Sequence, residues 1–256
     1  MGQVYNRFTT STKNRAAGKH KDRPLTVIIP AAGMGHRMKS YGPKCLLPAN
    51  IKETILDKSI KTIKKVYNYC EIILVVGFEA EKITQTLPKE IRIVENQIYE
   101  KTSVSESVRL AINNSVYNDI LIIYGDLIFN INTINELTEH GSCVVVDSKS
   151  RFKAEEIGVT IVDGKVTNFA YGLENKWSHI AYLTGNESLE FQRLCSDKKK
   201  NKMYPFEVFN IMLSHGFDLS AIEPKGMKIK EIDSLKDLSW KNFGAISTAI
   251  ESGTLG

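Results

Sequence analysis

The chain has 256 residues, 42% of them hydrophobic and 25% charged, enough to bury a full core as one domain or at most two small ones. Its net charge of +5 lies entirely in residues 1–23, which carry Arg7, Lys13, Arg15, Lys19, Lys21 and Arg23 against Asp22; the remaining 28 basic and 28 acidic residues cancel, which excludes a basic nucleic-acid-binding body. No apolar run reaches the roughly 20 residues of a membrane span, the N-terminal stretch has no apolar signal core, and Cys45, Cys70, Cys143 and Cys195 form no CxxC pair, so a reduced cytoplasmic protein without a zinc site is expected.

Residues 1–23 read as a disordered basic tail, 24–243 as one domain and 244–256 as a frayed end. Within the domain, "LTVIIPAA" (25–32) reads as a buried strand, and residues 53–68 space Ile55, Leu56, Ile60, Ile63 and Val66 as a helix does. "CEIILVVGF" (70–78) predicts a second strand, 79–87 a short helix, 91–96 a third strand and 103–115 a helix opened by capping serines. "DILIIYGDLIF" (119–129) reads as a fourth strand, 132–140 as a helix and 142–148 as a fifth strand. Continuous Val/Ile/Leu runs alternating with helical patterns predict a parallel sheet covered on both faces.

The second half changes character. Residues 156–172 predict two short strands joined at Asp163-Gly164. Helices are expected over 186–201 and over 204–216, the latter stopped by Gly216, and a strand and helix over 227–243. The fold class is therefore α/β, a three-layer Rossmann-like arrangement with a mixed, mostly parallel sheet and a small antiparallel lobe at about 150–215.

"AAGMGHRMKSYGPKCLLP" follows the first strand. Gly33 and Gly35 permit close backbone approach to a phosphate, and Arg37 and Lys44 would set two cations on it. The spacing meets neither GxGxxG nor GxxxxGK[ST], so as spacing alone a tight turn with two surface cations explains it equally well. "PAAGMGHRM" followed by "GPKCLLP" (Pro30–Pro48) resembles the nucleotidyltransferase family, which joins an NTP to a phosphorylated metabolite and releases pyrophosphate. His36 stands where that family more usually has Ser or Thr. The resemblance implies a nucleotide loop of Ala31, Ala32, Gly33, Met34, Gly35 and His36, with Arg37 and Lys44 neutralising charge at the transferring phosphorus.

The likeness continues. "ENQIYEKTSVSESVRLAI" resembles the nucleotide-recognition segment of the cytidylyltransferases, which implies Asn96, Thr102, Ser103 and Ser107 beside the base; read alone, Ser103 or Ser105 is equally a helix cap. "IIYGDLIF" and "KEIDSLKDL" resemble the family's metal-binding positions, which implies Mg²⁺ on Asp126 and Asp233, hard oxygen ligands for a hard cation. Asp237 reads as a helix-start residue, and His140, His179 and His215 as ordinary solvated or core histidines.

For the acceptor, the hairpin lacks the "EKP" of sugar-phosphate members, and "NQIY", "KWSHIAYLTG" and the late "EID" resemble the phosphocholine and aminoethylphosphonate cytidylyltransferase branch. That implies CTP as the favoured NTP and a small phosphorylated acceptor, with Tyr99, Tyr124, Tyr171, Trp177, Tyr182 and Glu207 as acceptor-binding residues. Aromatic faces suit a choline-type head group, though core packing accounts for lobe aromatics equally well. A sugar-1-phosphate nucleotidyltransferase and a catalytically idle nucleotide-binding regulator are the alternatives, and monomer and homodimer both stay open.

Overall fold

The computed structural model describes residues 23–34, 42–150, 154–233 and 237. β1 (Leu25–Pro30) is buried along its whole length, as its unbroken apolar run requires, and lies in parallel between β4 (Cys70–Val76) and β6 (Ile120–Ile123). β5 (Arg92–Glu95) adds in parallel outside β4. On the other side of β6 come β11 (Asn175–Leu183), β8 (Cys143–Asp147), β12 (Ser220–Ile222), β10 (Lys165–Tyr171) and β9 (Ile157–Val162), giving a nine-stranded sheet among the described residues. β10 and β11 run against the other strands, so the antiparallel part is an extension of the same sheet. Asp163 and Gly164, with φ of 50° and 76°, make the tight β9–β10 turn that their sequence announces.

Helices cover both faces. α1 (Ile55–Val66) starts from a capping box in which the Thr54 hydroxyl accepts from the Asp57 N–H and the Asp57 carboxylate accepts from the Thr54 N–H. Its Leu56, Ile60 and Ile63 pack on one face of the sheet, joined by Ile83 of the short α2 (Ala80–Thr84). α3 (Val104–Asn113), α4 (Gly185–Cys195) and α5 (Pro205–Ser214) cover the other through Val108, Phe191 and Phe209.

Three expectations change. The run 119–129 is two strands, because the chain at Gly125 passes hard against the end of β1: a Cβ there would lie 3.0 Å from the Ala31 Cβ and 3.1 Å from the Pro30 carbonyl oxygen. β6 therefore stops at Ile123, and β7 (Leu127–Phe129) pairs with β13 (Ile229–Glu231) in a separate antiparallel ladder. Residues 132–140 form no helix but two 3₁₀ turns, Ile131–Thr133 and Leu137–Glu139. Asn130 caps the first of these turns, and the fully buried Ile134 and Leu137 sit three apart, the 3₁₀ spacing. β11 is the longest strand among the described residues and none was expected there, since the alternation of Lys176, Trp177 and Ser178 fails at His179. A small hairpin of β2 (Pro48–Asn50) and β3 (Glu53–Thr54) precedes α1. The helix expected after Asp233 and both tails lie outside the described residues.

Candidate nucleotide and metal site

The carboxyl ends of β1, β4 and β6 gather on one edge of the sheet, where open α/β sheets receive ligands. There Ala31 and Ala32 remain tied to β4 and its turn: the Ala31 N–H donates to Val75 O (2.8 Å) and the Phe78 N–H donates to Ala32 O (3.0 Å). Beyond them Gly33 is exposed, and a Cβ on it would meet nothing within 4 Å, so neither packing nor φ demands glycine here. What glycine leaves is open space beside the backbone. Met34 is half-buried next to it, while Gly35, His36 and Arg37 lie outside the described residues.

Asn96, Thr102 and Ser107 come together. The buried Asn96 amide donates to the Thr102 and Ser107 hydroxyls (3.1 Å each) and accepts from the Ile98 N–H (3.2 Å), so the loop before α3 is held by side chains. Ser103 is the N-cap of α3, accepting from the Ser105 N–H, and its hydroxyl also donates to the Met203 carbonyl. The capping reading describes its contacts in this structure. Tyr99 packs over Gly77, where a Cβ would lie 2.9 Å from its ring and 2.9 Å from Ala32; this sets it by Ala32 and apart from the cavity lined by Tyr124, Tyr171 and Trp177.

Lys44 opens a single 3₁₀ turn, Lys44–Leu46, and reaches two carboxylates from distant parts of the chain. Its Nζ lies 3.3 Å from Asp126 Oδ2 and 2.8 Å from Asp233 Oδ1. Asp126 sits in the break between β6 and β7, and Asp233 two residues beyond β13. Burial draws the Lys44 pKa down, but Asp126 and Asp233 outweigh it and leave it raised. Burial, then Glu231, pushes the Asp126 carboxyl up, against the pull of Lys44. Asp237 has its own job, its carboxylate accepting from the Asp233 N–H (3.1 Å).

Sequence reading missed Glu231, although the signal was present: it is two residues before Asp233, the spacing that keeps side chains on one side of an extended segment. Asp126, Glu231 and Asp233 each offer a ligand atom, all within 4.8 Å of one another, enough to hold a metal ion. The buried Asp126 Oδ1 has no hydrogen-bond partner, an oxygen left over for such an ion. Three carboxylates match a hard cation.

Lys176 and His179 were also missed as site residues. In β11 the register against β8 shifts between Trp177 and Ala181, and His179 takes a φ of 56°. This bulge turns its ring onto Tyr124, stacked at 4.8 Å, with Nδ1 3.4 Å from Glu231. Lys176 lies 3.0 Å from Glu156 and 3.3 Å from Glu231. Burial would raise the Glu231 pKa, but His179 and Lys176 prevail and hold it at about 2. Because that lies below the ordinary 4.5, the stabilisation is complete above pH 4.5 and is lost as pH falls toward 2. Glu231→Gln should therefore lower stability at pH 7 by about 2 kcal/mol and flatten the acid limb of a Tm–pH profile, checked by calorimetry from pH 7 to pH 3.

Beside the cluster is a cavity of about 1000 Å³ lined by Lys44, Tyr124, Tyr171, Lys176, Trp177, His179, Tyr204, Phe206 and Glu231 among others. Of the expected acceptor residues, Tyr124, Tyr171 and Trp177 line it. Trp177 does so from the core: it is 1% exposed, and its indole N–H donates to Ile180 O (3.2 Å). Tyr182 is corrected. It lies at the far end of β11, fully buried, with its hydroxyl donating to Asp119 (3.1 Å). Tyr182→Phe is expected to cost about 1 kcal/mol in urea unfolding and to leave substrate KM values unchanged. Glu207 is likewise corrected, since its carboxylate accepts from the Tyr204 N–H (2.7 Å) and completes the N-terminal turn of α5.

Parallel strands ending at Ala31 and Gly33, with Lys44 and three carboxylates at the same edge, make a domain of α/β type with a charged site at its strand ends. Residues 27–198 match the MobA-like NTP transferase domain, and the chain belongs to that family. It is 33% identical over 151 residues, 56% of this chain and 34% of the relative, to the bifunctional protein GlmU of Methanococcus maripaludis. To that of Thermotoga petrophila it is 32% identical over 117 residues, 45% of this chain and 25% of the relative. The chain thus spans less than half the length of these curated relatives. Its fold is similar to that of the CTP:phosphocholine cytidylyltransferase of Streptococcus pneumoniae (TM-score 0.70, 21% identity, 87% of this chain and 99% of that one). It is also similar to a putative glucose-1-phosphate thymidylyltransferase of Bacillus anthracis (TM-score 0.71, 16% identity, 86% and 95%). Among the described residues, no helix is long and apolar enough to cross a membrane.

Proposed function

We propose that this chain is a Mg²⁺-dependent nucleotidyltransferase that transfers CMP from CTP to a small zwitterionic phosphate or phosphonate of the phosphocholine class, releasing pyrophosphate. The observation that carries the acceptor class is the wall of the cavity. Tyr171, 59% exposed, meets Phe206 edge-on at 5.7 Å, and Tyr204 stacks on Phe206 at 6.0 Å. Glu155, Glu156 and Asp147 line the same cavity. Open aromatic faces among carboxylates favour a cationic head group. Lys44 lines the same cavity and suits the anionic end.

Asp126 and Asp233, with Glu231 beside them, would hold the divalent cation, whose chemistry is to neutralise phosphate charge and polarise the phosphoryl oxygens. The acceptor oxygen is already anionic, so no residue needs to act as a strong base. Lys44 binds phosphate oxygens and offsets the charge that develops toward pyrophosphate. The glycine loop lets the backbone approach the nucleotide, and the Asn96–Thr102–Ser107 network fixes the loop expected beside the base.

The test is pyrophosphate release from each NTP paired with phosphocholine, aminoethylphosphonate and hexose 1-phosphates. The expected result is release with CTP and one of the first two, with Tyr171→Ala raising the acceptor KM about 10-fold. Release only with a hexose phosphate would transfer the chain to the sugar branch, and no release with any pair would sink the enzyme reading.

A further inference from the structure

We propose that Lys44 is a resident counter-ion of the carboxylate cluster, which an entering divalent cation displaces and thereby frees to bind polyphosphate. The inference rests on the divalent-metal reading of the cluster and adds how metal and nucleotide are coupled. It begins with charge. Glu231 has partners of its own, Lys176 at 3.3 Å and His179 at 3.4 Å, while Asp126 and Asp233, two carboxylates, share the one ammonium of Lys44 at 3.3 Å and 2.8 Å. The mismatch is visible in the hydrogen bonding: Asp126 Oδ2 faces the ammonium at 3.3 Å, while its buried Oδ1 has no partner.

A dication would match the two aspartates where one ammonium does not. It would contact the same carboxylates, and two cations a few ångströms apart on them repel strongly. Metal and Lys44 Nζ therefore exclude one another at this position. The backbone of Lys44 is fixed, with the Leu46 N–H donating to Pro43 O and the Leu47 N–H donating to Lys44 O (3.0 Å each). Displacement is thus a rotation of its flexible four-carbon side chain. Once released, the ammonium needs an anion, and the polyphosphate supplies it. Metal alone has to expel Lys44 into solvent; metal with polyphosphate gives it a new partner. The two ligands therefore bind with positive coupling through one side chain.

The experiment uses the full chain with Mn²⁺ as probe, free Mn²⁺ counted by electron paramagnetic resonance and pulsed acetylation of Lys44 read by mass spectrometry. Saturating Mn²⁺ without nucleotide is expected to speed Lys44 acetylation about 5-fold or more, and added pyrophosphate to slow it again. Lys44→Gln should bind Mn²⁺ about 10-fold tighter in the absence of pyrophosphate, a change of about 1.4 kcal/mol, while Lys44→Arg stays near the parent. Bound Mn²⁺ with an unchanged acetylation rate overturns the displacement, whatever the affinity of Lys44→Gln. Equal Mn²⁺ binding by the parent and by Asp126→Asn is a different failure, which removes the metal reading and this inference with it.

Discussion

Asp126→Asn is expected to lower turnover by about 10²–10³-fold while leaving the melting temperature in metal-free buffer no lower than that of the parent. Two opposite effects meet at this carboxylate. Burial and the neighbouring Glu231 push its pKa up, so the charged form costs stability at neutral pH; a raised carboxylate pKa destabilises the fold as pH rises through it. Asparagine keeps the shape, can still accept from Lys44 and removes that penalty. The same charge is what the cluster needs to hold a cation against a polyphosphate. Parallel measurement of pyrophosphate release and thermal unfolding separates the two. Unchanged turnover would take Asp126 out of the site, and a collapse in Tm would make it a structural residue.

The second large effect concerns Trp177, which lines the cavity beside the carboxylate cluster yet belongs to the core. Its ring meets Phe169 at 5.7 Å, Phe209 at 5.8 Å and Tyr124 at 5.8 Å, all edge-on. Trp177→Ala should cost about 3–5 kcal/mol in urea unfolding, as large aromatic truncations in a packed core do. Trp177→Phe should recover much of that and retain near-parent acceptor KM. Tyr171→Ala is expected to do the reverse, sparing stability and weakening acceptor binding, since Tyr171 stands out at the cavity mouth. A Trp177→Ala protein of full stability with a raised acceptor KM would reassign the indole to the ligand.

How much of this was legible from residues varies with the range of the interaction. β1, β4 and β8 were readable because strands buried on both faces are continuous apolar runs. α1 was readable because its cap and its apolar period are both local. The break after Ile123 was not, since it arises from Gly125 meeting the end of β1, a contact between segments far apart in sequence. β11 was hidden because its polar–apolar alternation fails at His179, where the strand bulges beside Glu231. The aromatics show the same limit. The resemblance offered Tyr171, Trp177 and Tyr182 alike, and only their places in the sheet separated Tyr182, bonded to Asp119, from the exposed Tyr171 on the cavity wall.

By itself the sequence determined the sheet-forming runs and the glycines and cations that follow β1, while the family resemblance named Lys44, Asp126 and Asp233 as site residues. Those are properties of local chemistry and chain order. Only the tertiary structure decided that Lys44 lies between the two aspartates, that Glu231 joins them and that Lys176 and His179 hold it. The physical reason is distance along the chain: Lys44 and Asp233 are 189 residues apart, and what a charge does is set by its neighbours in space.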